Sequence, residues 1–396
     1  MSLDYFVKKQ ARLLGKLDTT YVRKKYFDLL KSDDRLIALV GSRGVGKTTV
    51  LLQYLKSLEK ESLYLTGDDV EFTNTKLYSI VDEFYMLGGR VVAIDEVHKY
   101  KNWSQEIKNI YDSFPDLVIR ITGSSMLNIL YEKYDLSRRV AIYKMTTLSF
   151  REFLEIEKDI KLPIYPLEEL LANATEFSKA LVFEYEDLYA YFKKYLKYGA
   201  YPFYLEGVEH FDNKLFNALD KIIYEDIPSL NKIEYAQVSV FQKLIYYVVS
   251  SRKPFTVNLA ALSREFGVSE PTLYHYMDIL DKTEIFKPMK KFSKKLSKKP
   301  QKLLFSNTNI LYSYSHKFNI EVDIGTARET FFAGCFDAVF YSDIGDFKVD
   351  DYIFEVGGKN KTFRQIKDVE NSFLVIDTDF SPTAQKIPLW LFGFLS

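Results

Sequence analysis

Residues 36–50 read LIALVGSRGVGKTTV, and this stretch decides the fold of the first part of the chain. An apolar run precedes a glycine-rich loop, and a helical pattern follows it. In such a loop, backbone N–H groups surround phosphates at a helix N-terminus, a lysine reaches the β and γ phosphates, and a threonine hydroxyl binds Mg²⁺. The context predicts a Walker A motif rather than an ordinary glycine turn. The expected nucleotide-binding residues are Gly41, Ser42, Arg43, Gly44, Val45, Gly46, Lys47, Thr48 and Thr49.

A second apolar run, VVAIDE at residues 91–96, ends in the acids Asp95 and Glu96. An acid pair alone is more often a surface turn, but the loop upstream favours a Walker B motif. Asp95 is then expected to hold Mg²⁺ together with Thr48, and Glu96 to polarise the attacking water as the catalytic base. A second acid at this place is typical of an ATPase, so the predicted cofactors are ATP and Mg²⁺.

Two further stretches carry candidate catalytic residues, each with an alternative. The apolar run LVIRI (117–121) is followed by TGSS, which places Ser124 beside the Walker B strand as a sensor of the γ phosphate. The same residues would also cap a helix. In LSRRV (136–140), Arg139 offers a guanidinium that completes the site in cis or from a neighbouring subunit, or that forms a salt bridge to acidic helices.

The pattern of the whole chain indicates an α/β protein of four domains. Strands expected at 36–40, 62–65, 91–94 and 117–121 alternate with helices in residues 1–150, which predicts a parallel P-loop sheet. Helical spacing with many acids predicts a lid at 151–236. Helices capped by Asn258 and Ser269, with Gly267 between them and strand-like runs after them, predict a winged helix-turn-helix at 237–312. Residues 313–396 return to mixed helix and strand.

Composition excludes several other classes of protein. The chain has 396 residues, with 54 Lys plus Arg against 54 Asp plus Glu, so net charge indicates no particular partner. A single cysteine, Cys335, excludes an intramolecular disulfide, and four scattered histidines argue against structural zinc. The first residues lack the apolar core of a signal peptide, and no long uncharged apolar run follows, so a cytoplasmic location is expected.

Five motifs in a fixed order resemble a known family. They are VVAIDEVHKYKNW (91–103), ITGSS (121–125), LSRRV (136–140) with TLSFREFL (147–154), KYGAYP (197–202) and IIYEDI (222–227). Together they resemble archaeal and bacterial AAA+-type ATPases whose C-terminal half is a domain of unknown function. The resemblance implies ATP binding, with Arg139 as the arginine of a Leu-Ser-Gly-Arg-like box and Gly199 and Pro202 in a Gly-Gly-x-Pro-like turn. Arg138 and Ala200 depart from that pattern.

The C-terminal part of that family also resembles a PD-(D/E)xK nuclease fold. The resemblance implies an acid on the first helix, an Asp ending a strand and Glu-x-Lys on the next strand, where the acids bind Mg²⁺ and the lysine stabilises charge on the attacked phosphate. Gly357 stands in the lysine position, although Lys359 or Lys361 lies close in sequence. We therefore expect an inactive or very weak nuclease-like scaffold, with an ATP-gated DNA nuclease as the alternative. The residues of this candidate site are Glu329, Asp346, Glu355 and Lys359.

Lysines cluster between residues 287 and 302, within a stretch (285–320) that contains no acid. At the wing of a winged helix, such a hairpin would follow a DNA or RNA backbone. The alternatives are packing onto acidic helices at 152–187, or simple solvation. The neighbouring helix EPTLYHYMDILDK (270–282) is acidic, which argues against direct base reading. The candidate backbone contacts are Lys290, Lys291, Lys294, Lys295, Lys298 and Lys299.

These patterns together predict a Mg²⁺-dependent ATPase that couples its nucleotide state to a winged-helix and nuclease-like C-terminal half and contacts nucleic acid. The alternatives are a signalling or scaffold ATPase that binds a protein partner, and an ATP-gated nuclease. No membrane contact is expected, and the oligomeric state is left open.

Overall fold

The chain divides into two compact units, residues 1–147 and residues 148–396. The structure is a computed structural model, and it describes residues 2–58, 61–124, 136, 138–228, 233–292, 299–380, 383 and 385–396. Within these ranges, no helix is both long and apolar enough to cross a membrane. The division of the chain into four domains stays a prediction.

The first unit is a parallel sheet with helices. Its strands are β1 (Leu36–Val40), β2 (Ser62–Thr66), β3 (Val91–Asp95), β4 (Val118–Gly123) and β5 (Ala141–Lys144). Its helices include α1 (Ser2–Gly15), α2 (Lys24–Leu30), α3 (Lys47–Lys56), α4 (Leu77–Met86) and α5 (Trp103–Ser113). The strand order is β2-β3-β4-β1-β5, and every pair is parallel. The α/β fold and the four strands predicted for this part of the chain are therefore confirmed.

The strand order determines where polar side chains meet. Every residue of β1 and of β3 is buried, as expected for parallel strands covered on both faces. Strand β4 lies between these two. Since the carboxyl ends of parallel strands share one edge of the sheet, the loops after β1, β3 and β4 converge there. Ligands of such sheets bind at this edge.

Helix α1 covers the free edge of β2. The Gln10 amide donates to the carbonyl of Ser62 over 3.1 Å, and its Oε1 accepts from the backbone N–H of Tyr64 over 2.6 Å. One side chain thus replaces two bonds that a neighbouring strand would supply. An uncovered edge strand would invite pairing with another chain.

The second unit begins with helices, and its described residues contain two sheets. Its helices include α6 (Phe150–Lys158), α7 (Leu167–Glu184), α8 (Leu188–Lys194), α9 (Phe211–Lys221), α10 (Tyr235–Ser250), α11 (Leu259–Phe266), α12 (Glu270–Lys282), α13 (Thr308–Lys317) and α14 (Ile324–Gly334). Strands β6 (Phe255–Thr256), β7 (Phe286–Lys290) and β8 (Pro300–Phe305) form an antiparallel sheet in the order β6-β8-β7.

The predicted starts of α11 and α12 are confirmed. Asn258 Oδ1 accepts from the N–H of Ala261 over 3.1 Å, and Ser269 Oγ accepts from the N–H of Thr272 over 3.2 Å. Gly267, with a φ of 68°, ends the first of these helices in the left-handed conformation that glycine adopts most easily. The short turn between the helices follows from these local signals.

The C-terminal sheet is mixed. Its strands are β9 (Phe340–Tyr341), β10 (Phe347–Val349), β11 (Tyr352–Gly358), β12 (Ser372–Asp377) and β13 (Lys386–Pro388), in the order β13-β12-β11-β10-β9. Strands β9, β10 and β11 are antiparallel neighbours, whereas β12 and β13 run parallel to β11. Helix α14 precedes this sheet in sequence and packs against β11.

The KYGAYP motif is explained by an irregular helical turn. Residues Tyr195–Gly199 form a π-helical turn after α8, so some backbone groups lack their usual partners. The fully buried Asn309 accepts from the N–H of Ala200 over 2.8 Å, and it donates to the carbonyls of Tyr195 and Leu196. A Cβ on Gly199 would lie 2.5 Å from the Tyr195 ring, so glycine is required there.

Candidate nucleotide site and C-terminal carboxylate cluster

The loop from Gly41 to Gly46 has the conformation that its glycines predict. Gly44 and Gly46 have φ values of 83° and 98°, which residues with a side chain rarely adopt. A Cβ on Gly41 would overlap the carbonyl of Met145. Helix α3 begins directly after Gly46, so its first N–H groups face the loop. The result is a backbone cradle of the type that binds phosphates.

Lys47 lies over this loop. Its buried ammonium donates to the carbonyls of Gly41 and Ser42 over 2.7 and 2.8 Å. Arg23, which was not predicted from the sequence, contacts the loop by donating to the carbonyl of Val45, and it also donates to the carbonyl of Thr146. Arg23 belongs to the basic run RKK (23–25), which gives no sequence signal for such a contact.

The carboxylate of Asp95 is held by hydroxyl groups from three elements. Thr48 on α3 donates to Oδ2 over 2.7 Å, and Tyr64 on β2 donates to the same oxygen over 2.9 Å. Thr122 on β4 donates to Oδ1. The two residues predicted to hold the metal, Thr48 and Asp95, are thus brought together. Tyr64 was not predicted, and its one signal is a hydroxyl-bearing residue inside an apolar strand. Thr122 belongs to the TGSS stretch, whose hydroxyls were expected beside the Walker B strand.

The residues around Asp95 fit Mg²⁺. A hydroxyl and a carboxylate are hard oxygen donors, and Mg²⁺ is usually bound by one or two such groups while water and phosphate oxygens complete its shell. Among the described residues, no group of three or more His, Cys, Asp or Glu side chains is arranged to hold a metal ion. A metal at Asp95 would therefore depend on the nucleotide phosphates for its remaining ligands.

Glu96 is held in a fixed and unusual conformation. Its φ of 45° is left-handed, which costs free energy for a residue with a side chain. Its N–H donates to Thr122 Oγ1 over 3.2 Å, and its Oε2 accepts from Ser124 Oγ over 2.8 Å. A Cβ on Gly67 would lie 2.5 Å from the Glu96 carbonyl, so the backbone is also confined from the β2 side. The structure thus places Ser124 against Glu96; Ser125 lies outside the described residues.

The predicted arginine and the other loop residues are placed as follows. Arg139 forms a bidentate salt bridge with Asp112 on α5. Its Nε and Nη2 donate to the two carboxylate oxygens over 3.0 and 3.1 Å. Of the alternatives for Arg139, the described contact is therefore a salt bridge, and its partner is Asp112. Thr49 is exposed at the start of α3, next to Thr48.

The three predicted acids of the C-terminal domain are brought close together. Glu329 lies on α14 and Glu355 on β11, whereas Asp346 lies directly before β10 and does not end a strand as expected. Lys302 of β8 reaches two of them, with its Nζ 2.9 Å from Glu329 Oε2 and 3.6 Å from Asp346 Oδ1. Asp346 also accepts from the backbone N–H of β11 at Val356 over 2.9 Å.

The lysine that contacts Glu355 is Lys361, not Lys359. Its Nζ makes an ion-pair contact with Glu355 Oε1, while Lys359 is exposed in the turn after β11. The physical reason is Gly357: a Cβ there would lie 2.6 Å from Lys361 Cγ, so the missing side chain leaves room for the Lys361 stem. The expectation that Lys359 supplies the cation is therefore wrong, and Lys361 supplies it.

Burial dominates the electrostatics of this cluster. It raises the pKa of Glu329 to about 7, helped by the Asp346 carboxylate and opposed by Lys302. Burial likewise raises the pKa of Glu355, whose side chain is fully buried, and the Lys361 ammonium opposes this rise. Burial opposes a charged Lys302, yet Glu329 and Asp346 raise its pKa above the ordinary value. The lysines therefore neutralise much of the acidic charge.

The described part of the lysine hairpin lies against the C-terminal sheet. Lys291 forms an ion pair with Asp343 and a bridge to Tyr341 of β9, and the ring of Phe292 packs edge-on against Phe340. Lys299 Nζ is 4.0 Å from a Glu270 oxygen, and Lys290 is half-buried. The predicted Lys294, Lys295 and Lys298 lie outside the described residues. Lys291 and Phe292 therefore contact β9 and the residues next to it rather than the acidic helices at 152–187.

Comparisons with known proteins agree with this geometry. Residues 33–154 match the family model of an AAA domain, and residues 189–319 match a domain of unknown function, DUF8612. A relative from Methanocaldococcus jannaschii, named "Uncharacterized protein MJ1637", is 29% identical over 327 residues, which are 78% of this chain and 68% of the relative.

The solved structures that are similar to this chain include an ATPase and a branch migration motor. The Walker-type ATPase PABY2304 of Pyrococcus abyssi has a TM-score of 0.42 at 14% identity, and the match covers 76% of this chain and 99% of that one. The RuvB Holliday junction branch migration motor of Thermotoga maritima has a TM-score of 0.30 at 14% identity, with 76% and 94% covered.

The assignment of the first unit depends on its own features, since both TM-scores are below 0.5. The AAA-domain match spans the glycine loop, Asp95, Glu96 and Ser124, and the five-stranded parallel sheet places these residues at one edge. The resemblance to AAA+-type ATPases is confirmed for this domain, whereas the nuclease-like interpretation of the C-terminal part stays a prediction. Residues 33–154 form a P-loop ATPase domain of the AAA type.

Proposed function

We propose that this chain is a Mg²⁺-dependent ATPase that couples its nucleotide state to residues 148–396. The observation that carries the proposal is the 2.7 Å hydrogen bond from Thr48 to Asp95, with Glu96 fixed beside them by Ser124. This is the arrangement that phosphoryl transfer to water needs: a phosphate cradle, a metal position and a base at adjacent points. A cytoplasmic location is part of the same proposal.

Each residue of the site has a role in the proposed reaction. Lys47 exchanges its bonds to the loop carbonyls for bonds to phosphate oxygens. Asp95 and Thr48 hold the metal, which when bound neutralises the charge on the β and γ phosphates. Glu96 accepts a proton from the attacking water, and Ser124 orients the Glu96 carboxylate and senses the γ phosphate.

The test of the nucleotide site is the affinity for ATP of Lys47→Ala. A charge-assisted contact to phosphate is worth about 1.5 to 3 kcal/mol, so the variant should bind roughly 10 to 100 times more weakly. Lys56→Ala, which removes an exposed lysine from the other end of α3, is the matched control and should bind like wild type. Unchanged affinity in Lys47→Ala would show that ATP is not bound at this loop.

We propose that nucleic-acid backbone is the partner of the lysine hairpin. The acid-free sequence around it and the half-exposed Phe292 support this, as does the order of helices and antiparallel strands expected of a winged helix. If about four lysines contact phosphates, log affinity for duplex should fall with log salt at a slope of roughly −3 to −4. Replacing Lys290, Lys291, Lys294 and Lys295 by Glu should abolish binding. A wild-type chain that binds no polymer at low salt would favour a protein partner instead.

For the C-terminal domain we propose a nuclease-like scaffold without cleavage activity. The strand order supports the scaffold, and the ion pairs of Lys302 with Glu329 and Asp346, which occupy carboxylates that a catalytic metal would need, support the lack of activity. The test is incubation with Mg²⁺ or Mn²⁺ and plasmid, linear or single-stranded DNA, alongside Glu355→Ala and Lys361→Ala. Cleavage by wild type that both variants lose would support an ATP-gated nuclease instead.

A further inference from the structure

We propose that Tyr64 is a positioning residue that sets the orientation of the Asp95 carboxylate for the metal. The inference rests on the proposed Mg²⁺-dependent ATPase and adds a residue outside both sequence motifs. It concerns a hydrogen bond between two side chains that are both almost completely buried, Tyr64 at 4% and Asp95 at 3% exposure.

The geometry leaves Asp95 little freedom. Strand β3 lies between β2 and β4, and each neighbour supplies one hydroxyl: Tyr64 donates to Oδ2 from one side and Thr122 to Oδ1 from the other. Thr48 donates to the same Oδ2 as Tyr64. Rotation of the carboxylate would break bonds on both sides of the strand at once, so the oxygens keep one orientation.

Tyr64 itself is fixed at both of its ends. Its backbone N–H donates to Gln10 on α1 over 2.6 Å, which anchors the edge strand at this residue. At its other end, the phenol hydroxyl donates to Asp95 Oδ2 over 2.9 Å.

The expected effect follows from the position of Tyr64 behind a metal-holding group. Loss of a hydrogen-bond partner that orients such a group typically lowers metal affinity about 10-fold or more. Phenylalanine keeps the ring and its packing and removes the one donor. Binding of the phosphates to the loop, which Tyr64 does not contact, should not change.

The experiment compares Tyr64→Phe with wild type in two binding measurements. The first is the affinity for a fluorescent ATP analogue in EDTA, and the second is the Mg²⁺ concentration that half-saturates the metal-dependent change in its signal. We expect unchanged affinity in EDTA and a half-saturating Mg²⁺ concentration raised about 10-fold. Electron paramagnetic resonance of Mn²⁺ in the presence of ATP gives a second reading without turnover.

Tyr54→Phe is the matched control, because it removes a hydroxyl from another buried tyrosine of the same unit whose ring lies beside Arg120. It should leave both measurements unchanged. An unchanged half-saturating Mg²⁺ concentration in Tyr64→Phe would overturn the inference, and so would an equal loss of affinity in EDTA, which would indicate a structural role. Lack of any metal-dependent ATP binding by wild type would instead refute the proposed function itself.

Discussion

The buried cluster around Glu329 predicts a specific dependence of stability on pH. In the folded chain Glu329 has a pKa of about 7 against an ordinary 4.5, mainly because it is buried and also because Asp346 is close. A group whose folded pKa is raised favours folding while it is protonated. Its contribution is complete below pH 4.5 and is lost as the pH rises through 7. Glu329→Gln cannot ionise and should escape this loss.

The magnitude follows from linkage between protonation and folding. Each pKa unit corresponds to about 1.4 kcal/mol, so the difference between 4.5 and 7 sets an upper bound of about 3.5 kcal/mol. Lys302 stays beside Asp346 in the variant, and Glu355 also faces the site. We therefore expect the free energy of unfolding of Glu329→Gln, relative to wild type, to rise by about 1 to 3 kcal/mol between pH 5 and pH 8.

Urea unfolding at several pH values measures this difference. The chain has two tryptophans, Trp103 in the first unit and Trp390 in the second, so a Trp103→Phe background reports on the second unit through Trp390 fluorescence. Glu370→Gln, which removes an exposed carboxylate of the same unit, is the control for the loss of one negative charge. A difference between Glu329→Gln and wild type that stays constant or shrinks toward pH 8 would refute the reasoning.

Three further predictions follow from close contacts. Gly41→Ala should lower ATP affinity, measured by fluorescence titration, because the added Cβ would displace the loop from a neighbouring carbonyl. Lys361→Ala should destabilise the second unit by about 1 to 3 kcal/mol in urea unfolding at pH 8, because Glu355 loses its cation. Lys359→Ala should have little effect, and equal effects of the two variants would contradict the placement of Lys361. Asn309→Leu should cost about 2 to 4 kcal/mol in the same assay, because it leaves buried carbonyls without donors.

Features that depend on neighbours in sequence were predictable. The glycine loop, the strands on either side of it and the start of α11 at Asn258 each follow from residues within one short segment. The meeting of Thr48 with Asp95 was predictable because parallel strands share one carboxyl edge. These inferences needed no knowledge of which strands are adjacent.

Most contacts that depend on strand order were not predictable. Tyr64 reaches Asp95 only because β2 lies next to β3. The hydroxyls after β4 were expected beside β3, but the bond from Thr122 to Asp95 was not. Lys302 is likewise far from Glu329 in the sequence. Nothing in the lysine run distinguishes Lys302 from the neighbouring lysines. Whether Lys359 or Lys361 contacts Glu355 depends on the path of the turn after β11 and on the space that Gly357 leaves for a side chain.

Phosphate release by Glu96→Gln at saturating ATP and Mg²⁺ tests the central claim most directly. Because Glu96 is expected to position water without contacting phosphate, turnover should fall about 10² to 10⁴-fold while ATP affinity stays that of wild type. Glu83→Gln, on the exposed face of α4, should hydrolyse ATP normally. Hydrolysis by Glu96→Gln at the wild-type rate would contradict the assignment of the base and, with it, the proposed ATPase mechanism.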